Sequence, residues 1–234
     1  MTRSQLAVRR VSVPALAVLA LASLALFGCG DGSRTNGLEK LPARTAQQKA
    51  LAALRSASSA HVKGTSLVAG HPAKIDVRFS GPSSSGVIAS DGLQFAFIRI
   101  SDTTYIKAGR RVLKQLGAPA PVRRVAAGRW LRLTPEQVTL SGISLGEIVT
   151  QLADDESALE PDVGQETLDG RPVVVVTRQN GSKLYISNTG PAYPLRGEYR
   201  DPAAARFDFT EFGAELRVTA PEHPLDAGAL GIGE

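Results

Sequence analysis

Cysteine, histidine and aromatic residues are all scarce in this sequence. Its 234 residues include one cysteine, three histidines and one tryptophan, and aromatic residues make up 5%. A single cysteine excludes an internal disulfide. The three histidines lie far apart and none has further ligands at the spacing of a metal site, so we expect no metal site. No dense basic run is interleaved with aromatic residues, so we expect no nucleic-acid partner.

The amino terminus has the pattern of an export signal. The first ten residues carry three arginines and no acidic group, and residues 11–27 are apolar apart from two serines and one proline. A basic start followed by a short apolar run is typical of a signal peptide. The run is shorter than the ~20 apolar residues of a stable membrane span. We therefore predict that residues 1–28 are removed, which leaves 24 basic and 22 acidic residues, a net charge of +2.

The residues around the expected cleavage point form a lipoprotein motif. Leu26 is aliphatic, Gly28 is small, and Cys29 supplies a thiol directly after the cut. Lipidation would also account for an unpaired thiol in an exported chain, which is otherwise a liability. A second acyl chain makes such an anchor durable, since one chain alone binds only marginally. We predict a protein anchored through Cys29 to the extracytoplasmic face of the cell membrane; the alternatives are a plain secreted protein and an uncleaved anchor.

The remaining chain divides into a tether and one domain. Residues 29–44 are rich in glycine and polar residues. They predict a flexible, lipidated tether that spans roughly 20 Å. Residues 45–234 are long enough for one domain with a sizeable core.

Within the domain, apolar periodicity predicts helices and strands in separate blocks. Helices are expected over 45–59, 110–116, 121–127 and 144–152. Strands are expected over 61–69, 72–80, 85–90, 93–100, 103–108, 130–133, 173–179, 183–188, 195–200, 206–211 and 215–220. Asn180 and Gly181 form a strong hairpin signal, and Trp130 is expected in the core. The order predicts an α+β fold with a large antiparallel sheet.

Two predicted strands are apolar on both sides. Phe95 and Phe97 alternate with Ala96 and Ile98, and residues 173–176 are four consecutive valines. An antiparallel sheet with one solvated face should instead alternate apolar and polar residues. Both faces are therefore expected to be dry: helices would cover one, and the other would meet a second packed layer or an apolar cavity.

Residues 142–146 match the G-x-S-x-G motif of esterases, with His223 downstream. That motif needs its serine on a tight turn between a buried parallel strand and a helix, whereas the surroundings here predict an antiparallel sheet. Ser144 also lies three residues before Glu147, the spacing of a helix capping box. We interpret Ser144 as a helix cap and expect no enzymatic activity.

Several short segments together resemble the LppX/LprG-type lipoproteins of actinobacteria, relatives of the LolA carrier. The resemblance spans residues 50–221. It rests on DTTYIK (Asp102–Lys107), GRWL (Gly128–Leu131), LDGRPV (Leu168–Val173), KLYI (Lys183–Ile186), PLR (Pro194–Arg196), FTEFG (Phe209–Gly213) and Ala220–Pro221. Each segment is common by itself; their order, together with the lipoprotein motif, carries the likeness.

The resemblance implies a curved antiparallel half-barrel covered by helices around an apolar cavity, without cofactor or catalytic residues. Family members with known roles bind acylated lipids and are linked to their movement through the envelope. It therefore implies a carrier that binds or transfers acylated lipids. The alternative is a non-enzymatic module with a solid core that binds an envelope protein or a cell-wall partner. The candidate lipid-binding residues are Ile75, Val77, Phe79, Phe95, Phe97, Ile148 and Leu152.

Overall fold

The structure, a computed structural model, describes residues 34–68, 71–135, 144–153, 157–200 and 204–232. Leu26, Gly28 and Cys29 lie outside these residues, so export, cleavage and lipidation remain predictions. From Arg34 onward the chain forms a compact unit. No helix of the described part combines the length and apolar character needed to cross a membrane.

One curved sheet contains every strand of the described residues. The strands are β1 (Ser59–Val68), β2 (His71–Ser80), β3 (Ser83–Ser90), β4 (Leu93–Ile100), β5 (Thr103–Ala108), β6 (Trp130–Leu133), β7 (Gly164–Leu168), β8 (Arg171–Thr177), β9 (Lys183–Ser187), β10 (Pro194–Tyr199), β11 (Ala205–Thr210) and β12 (Leu225–Asp226). Their order is β12-β6-β5-β4-β3-β2-β1-β11-β10-β9-β8-β7. All pairs are antiparallel except β12 with β6. The predicted α+β fold with a curved antiparallel sheet is confirmed.

Four α-helices are described, and they cover one face of the sheet. They are α1 (Ala43–Ser56), α2 (Arg110–Gln115), α3 (Ala120–Ala126) and α4 (Leu145–Ala153). α1 packs on β8, β9, β10 and α4, whereas α2 packs on β4, β5 and α3. α1 buries Ala43, Ala46, Ala50 and Leu54 completely, positions three or four residues apart that form one face of a helix.

The domain begins about ten residues earlier than predicted. Thr35 forms a bridge with Thr189, and the Asn36 side chain donates to Ser187 O at 2.9 Å. Leu38, in a short 3₁₀ turn (Leu38–Lys40), is 2% exposed. The predicted flexible tether over 29–44 is therefore wrong from residue 34 onward, because this segment buries Leu38 and hydrogen-bonds Asn36 to the domain.

The predicted strand over 215–220 is also wrong. Ser59 Oγ donates to Ala214 O at 2.7 Å, and Ser80 Oγ donates to Leu216 O at 2.8 Å. Both edges of β1 and of β2 already pair with other strands, so this segment binds to their ends through serine hydroxyl groups instead of joining the sheet. Conversely, β7 was not predicted, because four of its five residues are exposed and its sequence does not alternate.

The capping box of α4 is confirmed. Glu147 N donates to Ser144 Oγ at 3.2 Å, and Ser144 N donates to Glu147 Oε2 at 3.0 Å. The two bonds satisfy donors at the start of the helix that have no partner inside it. Ser144 thus has a structural role that accounts for its place in the G-x-S-x-G motif.

Replacing Ser144 with Ala should lower the free energy of unfolding by about 1 kcal/mol, because the cap is lost. Urea denaturation followed by circular dichroism measures the change. Ser144→Asp is the matched control and should retain most of the stability, since aspartate is an equally good cap. Equal losses in both variants would contradict the capping role.

Candidate functional site

The cross-strand register builds a continuous apolar floor on the helix-covered, concave face of the sheet. One row crosses seven strands and is largely buried: Phe209, Val62, Val77, Gly86, Phe97, Ile106 and Leu131. The adjacent row, called here the apolar row, crosses eight strands: Leu184, Gly197, Phe207, Gly64, Ile75, Ile88, Phe95 and Ala108. No position in the apolar row is polar, and Phe207, Ile75 and Phe95 are only half-buried.

Glycines allow the backbone to bend closely at the centre of this floor. A Cβ atom at Gly64 would lie 1.9 Å from Arg206 O, and one at Gly86 would lie 2.4 Å from Asp76 O. Glycine inside a strand typically marks a sharp bend or a close backbone approach. These two positions therefore permit the curvature of the sheet around β11, β1, β2 and β3.

All seven predicted lipid-binding residues belong to one hydrophobic cluster on this face. Val77, Phe79, Phe97 and Leu152 are buried, and Ile75, Phe95 and Ile148 are half-buried against them. The structure thus brings the seven together; their contact with lipid remains a prediction. Phe207, Gly64 and Gly197 belong to the same floor and were missed. Alternation of Phe207 with Phe209 in β11 was an available signal for the first of them, whereas the glycines gave none.

α4 connects distant parts of the sheet across this face. At its first turn, Glu147 lies 3.6 Å from Arg99 of β4. At its last turn, Leu152 O accepts hydrogen bonds from Gln47 Nε2 of α1 at 3.1 Å and from an Arg178 guanidinium nitrogen at 3.3 Å. The helix is therefore held by polar contacts at both ends and by apolar packing between them.

A small cavity lies beneath the last turn of α4. It is lined by Gln47, Leu152, Val176, Arg178, Ser182, Lys183, Leu184 and Tyr199. Its volume of about 10 Å³ is enough for one water molecule. Pockets that enclose drug-sized ligands measure roughly 300–1,000 Å³, so this cavity does not accommodate an acyl chain.

Among the described residues, the opposite, convex face carries a buried apolar cluster near β8. Val173, Val175 and Tyr185 form a separate buried cluster there, while the neighbouring Val174 and Val176 join the main core. The prediction of two dry faces is thus confirmed for β8, but Ile98 of β4 is only half-buried.

Polar and charged side chains surround that convex cluster. Tyr185 Oη donates to Glu198 Oε2 at 3.3 Å, and Lys183 Nζ donates to Glu166 Oε1 at 3.3 Å. Burial, helped by the nearby Glu198 charge, raises the pKa of Tyr185. The hydrogen bond to Glu166 raises the pKa of Lys183.

A buried histidine links three segments on the convex face. His61 of β1, 3% exposed, places Nε2 at 2.6 Å from Asp76 Oδ1 and Nδ1 at 3.2 Å from Glu211 Oε1. Arg78 Nε donates to Glu211 Oε2 at 3.2 Å. Partial burial opposes ionisation of Asp76, but hydrogen bonds from His61 and Lys63 outweigh it and lower the pKa of that carboxyl. Hydrogen bonds from Arg78 and then His61 lower the pKa of Glu211.

The arrangement offers no support for catalysis at the esterase-like motif. Ser144 caps α4, and the sheet is antiparallel apart from the two-residue β12, whereas the esterase mechanism needs a buried parallel strand before its serine. Within the described part of the chain, no group of three or more histidine, cysteine or acidic side chains is arranged to hold a metal ion.

Solved structures with the same architecture exist, although by sequence no protein-family model and no curated protein matches the chain. LprF from Mycobacterium bovis superposes with a TM-score of 0.54 at 15% identity, covering 76% of this chain and 96% of that one. The fold is of the LppX/LprG type. The resemblance inferred from the sequence is thereby confirmed for the fold, which is all that 15% identity shows.

Two further structures align over similar lengths with lower scores. An uncharacterized conserved protein from Thermus thermophilus has a TM-score of 0.41 at 11% identity, covering 79% of this chain and 97% of that one. MucB in complex with MucA(peri) has a TM-score of 0.38 at 18% identity, covering 77% and 60%. Neither carries an argument about this chain.

The lowered pKa values of Asp76 and Glu211 predict acid sensitivity. Their stabilising contribution is present above the ordinary values of 3.8 and 4.5 and is lost as the pH falls through the lower folded values, because the unfolded chain then binds protons more readily. Urea unfolding at a series of pH values from about 6 to about 2 should show Asp76→Asn losing less stability on acidification than the wild type. Asp162→Asn, at an exposed position, is the control and should follow the wild type; a wild-type slope in Asp76→Asn would refute the assignment.

Proposed function

We propose that the protein is a membrane-anchored, extracytoplasmic lipoprotein without enzymatic activity that binds or transfers acylated lipids between the concave face and its helices. The observation that carries the proposal is the apolar row, an unbroken apolar strip across eight strands with three half-buried side chains at Phe207, Ile75 and Phe95. The LprF-like fold and the predicted lipidation of Cys29 support it.

The physical basis is burial of acyl methylenes. Each methylene removed from water contributes about 0.8 kcal/mol, so a carrier needs a long apolar surface shielded from solvent. The apolar row supplies length, because neighbouring strands lie ~4.8 Å apart. Gly64 and Gly197 add no side chain to the floor, and the Arg206 backbone and the Tyr199 ring lie where their Cβ atoms would be.

A lipid chain that enters beneath α4 has to displace apolar packing there. The cavity beneath Leu152 has room for about one water molecule, so a chain at this place must displace part of the cluster that holds α4 on the sheet. The first and last turns of α4 are held by Arg99, Gln47 and Arg178. We infer that the side chains of Ile148 and Leu152 exchange their packing on the sheet for contact with the ligand.

The proposal is tested on the purified unit from Arg34 onward, without the anchor. Extraction with organic solvent and mass spectrometry should recover lipid at about one molecule per protein, and a fluorescent fatty acid should bind to protein stripped of that lipid. A clean extract together with no uptake of the probe would refute the proposal.

A filling substitution tests the location of the ligand. Ile75→Trp should lower fatty-acid affinity by at least about tenfold, because the larger ring at this half-buried position would cover the centre of the apolar row and compete with the ligand for it. Ile98→Trp is the matched control: it is half-buried on the opposite face of the sheet and should leave affinity unchanged. Fluorescence titration measures both, and circular dichroism checks folding. Equal losses in both would place the ligand elsewhere.

A second function is favoured by the dense packing beneath α4. Since the cavity beneath Leu152 holds about one water molecule, this part of the core can serve as the solid interior of an interaction module that binds an envelope protein or cell-wall partner through its outer surface. The lipid extraction separates the two functions, since a solid module yields no stoichiometric lipid.

A further inference from the structure

The charge of this chain is divided very unevenly. Between Thr103 and Pro135 there are eight lysines and arginines and no aspartate or glutamate. The rest of the chain after residue 28 contains sixteen basic residues and all 22 acidic ones. After residue 28 the chain has a net charge of +2, so it contains one strongly positive segment and a remainder that is net negative.

The fold gathers that segment into one element, called here the basic hairpin and comprising residues 107–130. It consists of the end of β5, α2, α3 and the start of β6, and α2 packs against α3. Gly128 N donates to Ala108 O at 2.9 Å, which closes the hairpin at its base. There Lys107 is the cross-strand neighbour of Trp130. Cations that are far apart in the sequence, from Lys107 to Arg129, thus belong to one compact element.

Most of these cations have no partner within the domain. Six basic side chains of the hairpin are exposed: Lys107, Arg110, Arg111, Lys114, Arg124 and Arg129. None of the six forms an ion pair with another residue in the described part of the chain. By contrast, Arg132, just beyond the hairpin, lies 2.6 Å from Asp226, and carboxylates on β2 and β11 are paired with neighbouring cations. The hairpin therefore presents positive charge that the domain does not neutralise.

The same surface exposes apolar groups. Val125 of α3 is 58% exposed, a large hydrophobic side chain that projects into solvent. Pro121 in the first turn of the same helix and Pro119 just before it are also exposed. Trp130, expected in the core, is instead half-buried beside Lys107 at the base of the hairpin, on the convex face of the sheet. Exposed cations and an exposed aliphatic group, with an amphipathic indole ring at the base of the same element, are typical of a structure that rests at a membrane interface.

We propose that the basic hairpin docks on the anionic headgroups of the membrane to which the protein is anchored. This inference rests on the membrane location in the proposed function, but not on lipid binding at the concave face. Clusters of four to eight lysines and arginines near a bilayer are attracted to anionic lipids. Val125 favours a bilayer over an acidic protein or polymer in solution, because the interface can bury an apolar side chain among headgroups. Docking would fix the orientation of a domain that the anchor alone leaves free.

The sole tryptophan provides the readout. The full chain with its anchor is reconstituted into vesicles of phosphatidylcholine, alone or mixed with phosphatidylglycerol, and acyl-brominated lipid in the vesicles quenches Trp130 where the two meet. Quenching should be at least about twofold stronger in the anionic vesicles, because attraction to anionic headgroups holds the hairpin at the surface. It should fall to the phosphatidylcholine level near 1 M salt, where screening limits charge interactions to about 3 Å.

Charge substitutions locate the effect. The combined variant Arg110→Gln, Arg111→Gln and Arg124→Gln should lose the extra quenching. The matched control removes three exposed cations from α1, by Arg44→Gln, Lys49→Gln and Arg55→Gln, and should keep it. Both variants leave the apolar row intact, so fatty-acid uptake should be unchanged in each.

Three outcomes would overturn the proposal. The first is equal quenching of Trp130 in neutral and anionic vesicles. The second is an equal loss of the extra quenching in the two triple variants. The third is a shift of Trp130 emission with soluble polyglutamate while anionic vesicles do not quench, which would assign the surface to an acidic protein partner. Failure of fatty-acid uptake with normal quenching would count against the proposed function alone.

Discussion

The pairing of β1 with β11 holds the two halves of the molecule in one sheet. β1 to β6 form one run of neighbouring strands and β7 to β11 another, and they meet only where residues 61–65 pair with residues 206–210. Without this pairing the apolar floor would be divided, and α1 and α2 would cover separate sheets. The close approach depends on Gly64, since a side chain there would collide with Arg206 O.

The same junction is reinforced on its other face by charge. His61 of β1 contacts Asp76 of β2 and Glu211 directly after β11, so one buried side chain spans the three segments that must stay in register. Arg78 pairs with both carboxylates and Lys63 pairs with Asp76, so each acidic group also faces an arginine or a lysine. The concave side of the junction carries Val62, Gly64, Phe207 and Phe209, while the charged groups that stabilise it lie on the convex side.

Local sequence patterns predicted the helices and strands well, whereas pairing between distant parts of the chain could not be predicted from the sequence. The bounds of β4, β5 and β6 were predicted to the residue, because glycine and aspartate turns flank alternating apolar runs, and the Ser144–Glu147 box specified where α4 begins. The pairing of β1 with a strand near the other end of the chain leaves no local trace, so neither the apolar row nor the His61 network could be read from the sequence. Residues 215–220 show the converse: a strand-like pattern does not form a strand when the strands beside it, β1 and β2, are already paired on both edges.

The basic hairpin also contributes to the concave face. Val112 and Leu113 of α2 are buried in the main core, and α2 packs on β4 and β5, where the apolar row ends at Phe95 and Ala108. The exposed cations and the cover of one end of the apolar row therefore share a single short helix. Attraction of Arg110 and Arg111 to headgroups therefore acts on the backbone of α2, the same helix that places Leu113 over the apolar floor. When the basic hairpin docks on the bilayer, the end of the apolar row beneath α2 lies nearest the membrane. An acyl chain that binds along the row has its shortest path between bilayer and protein through that end.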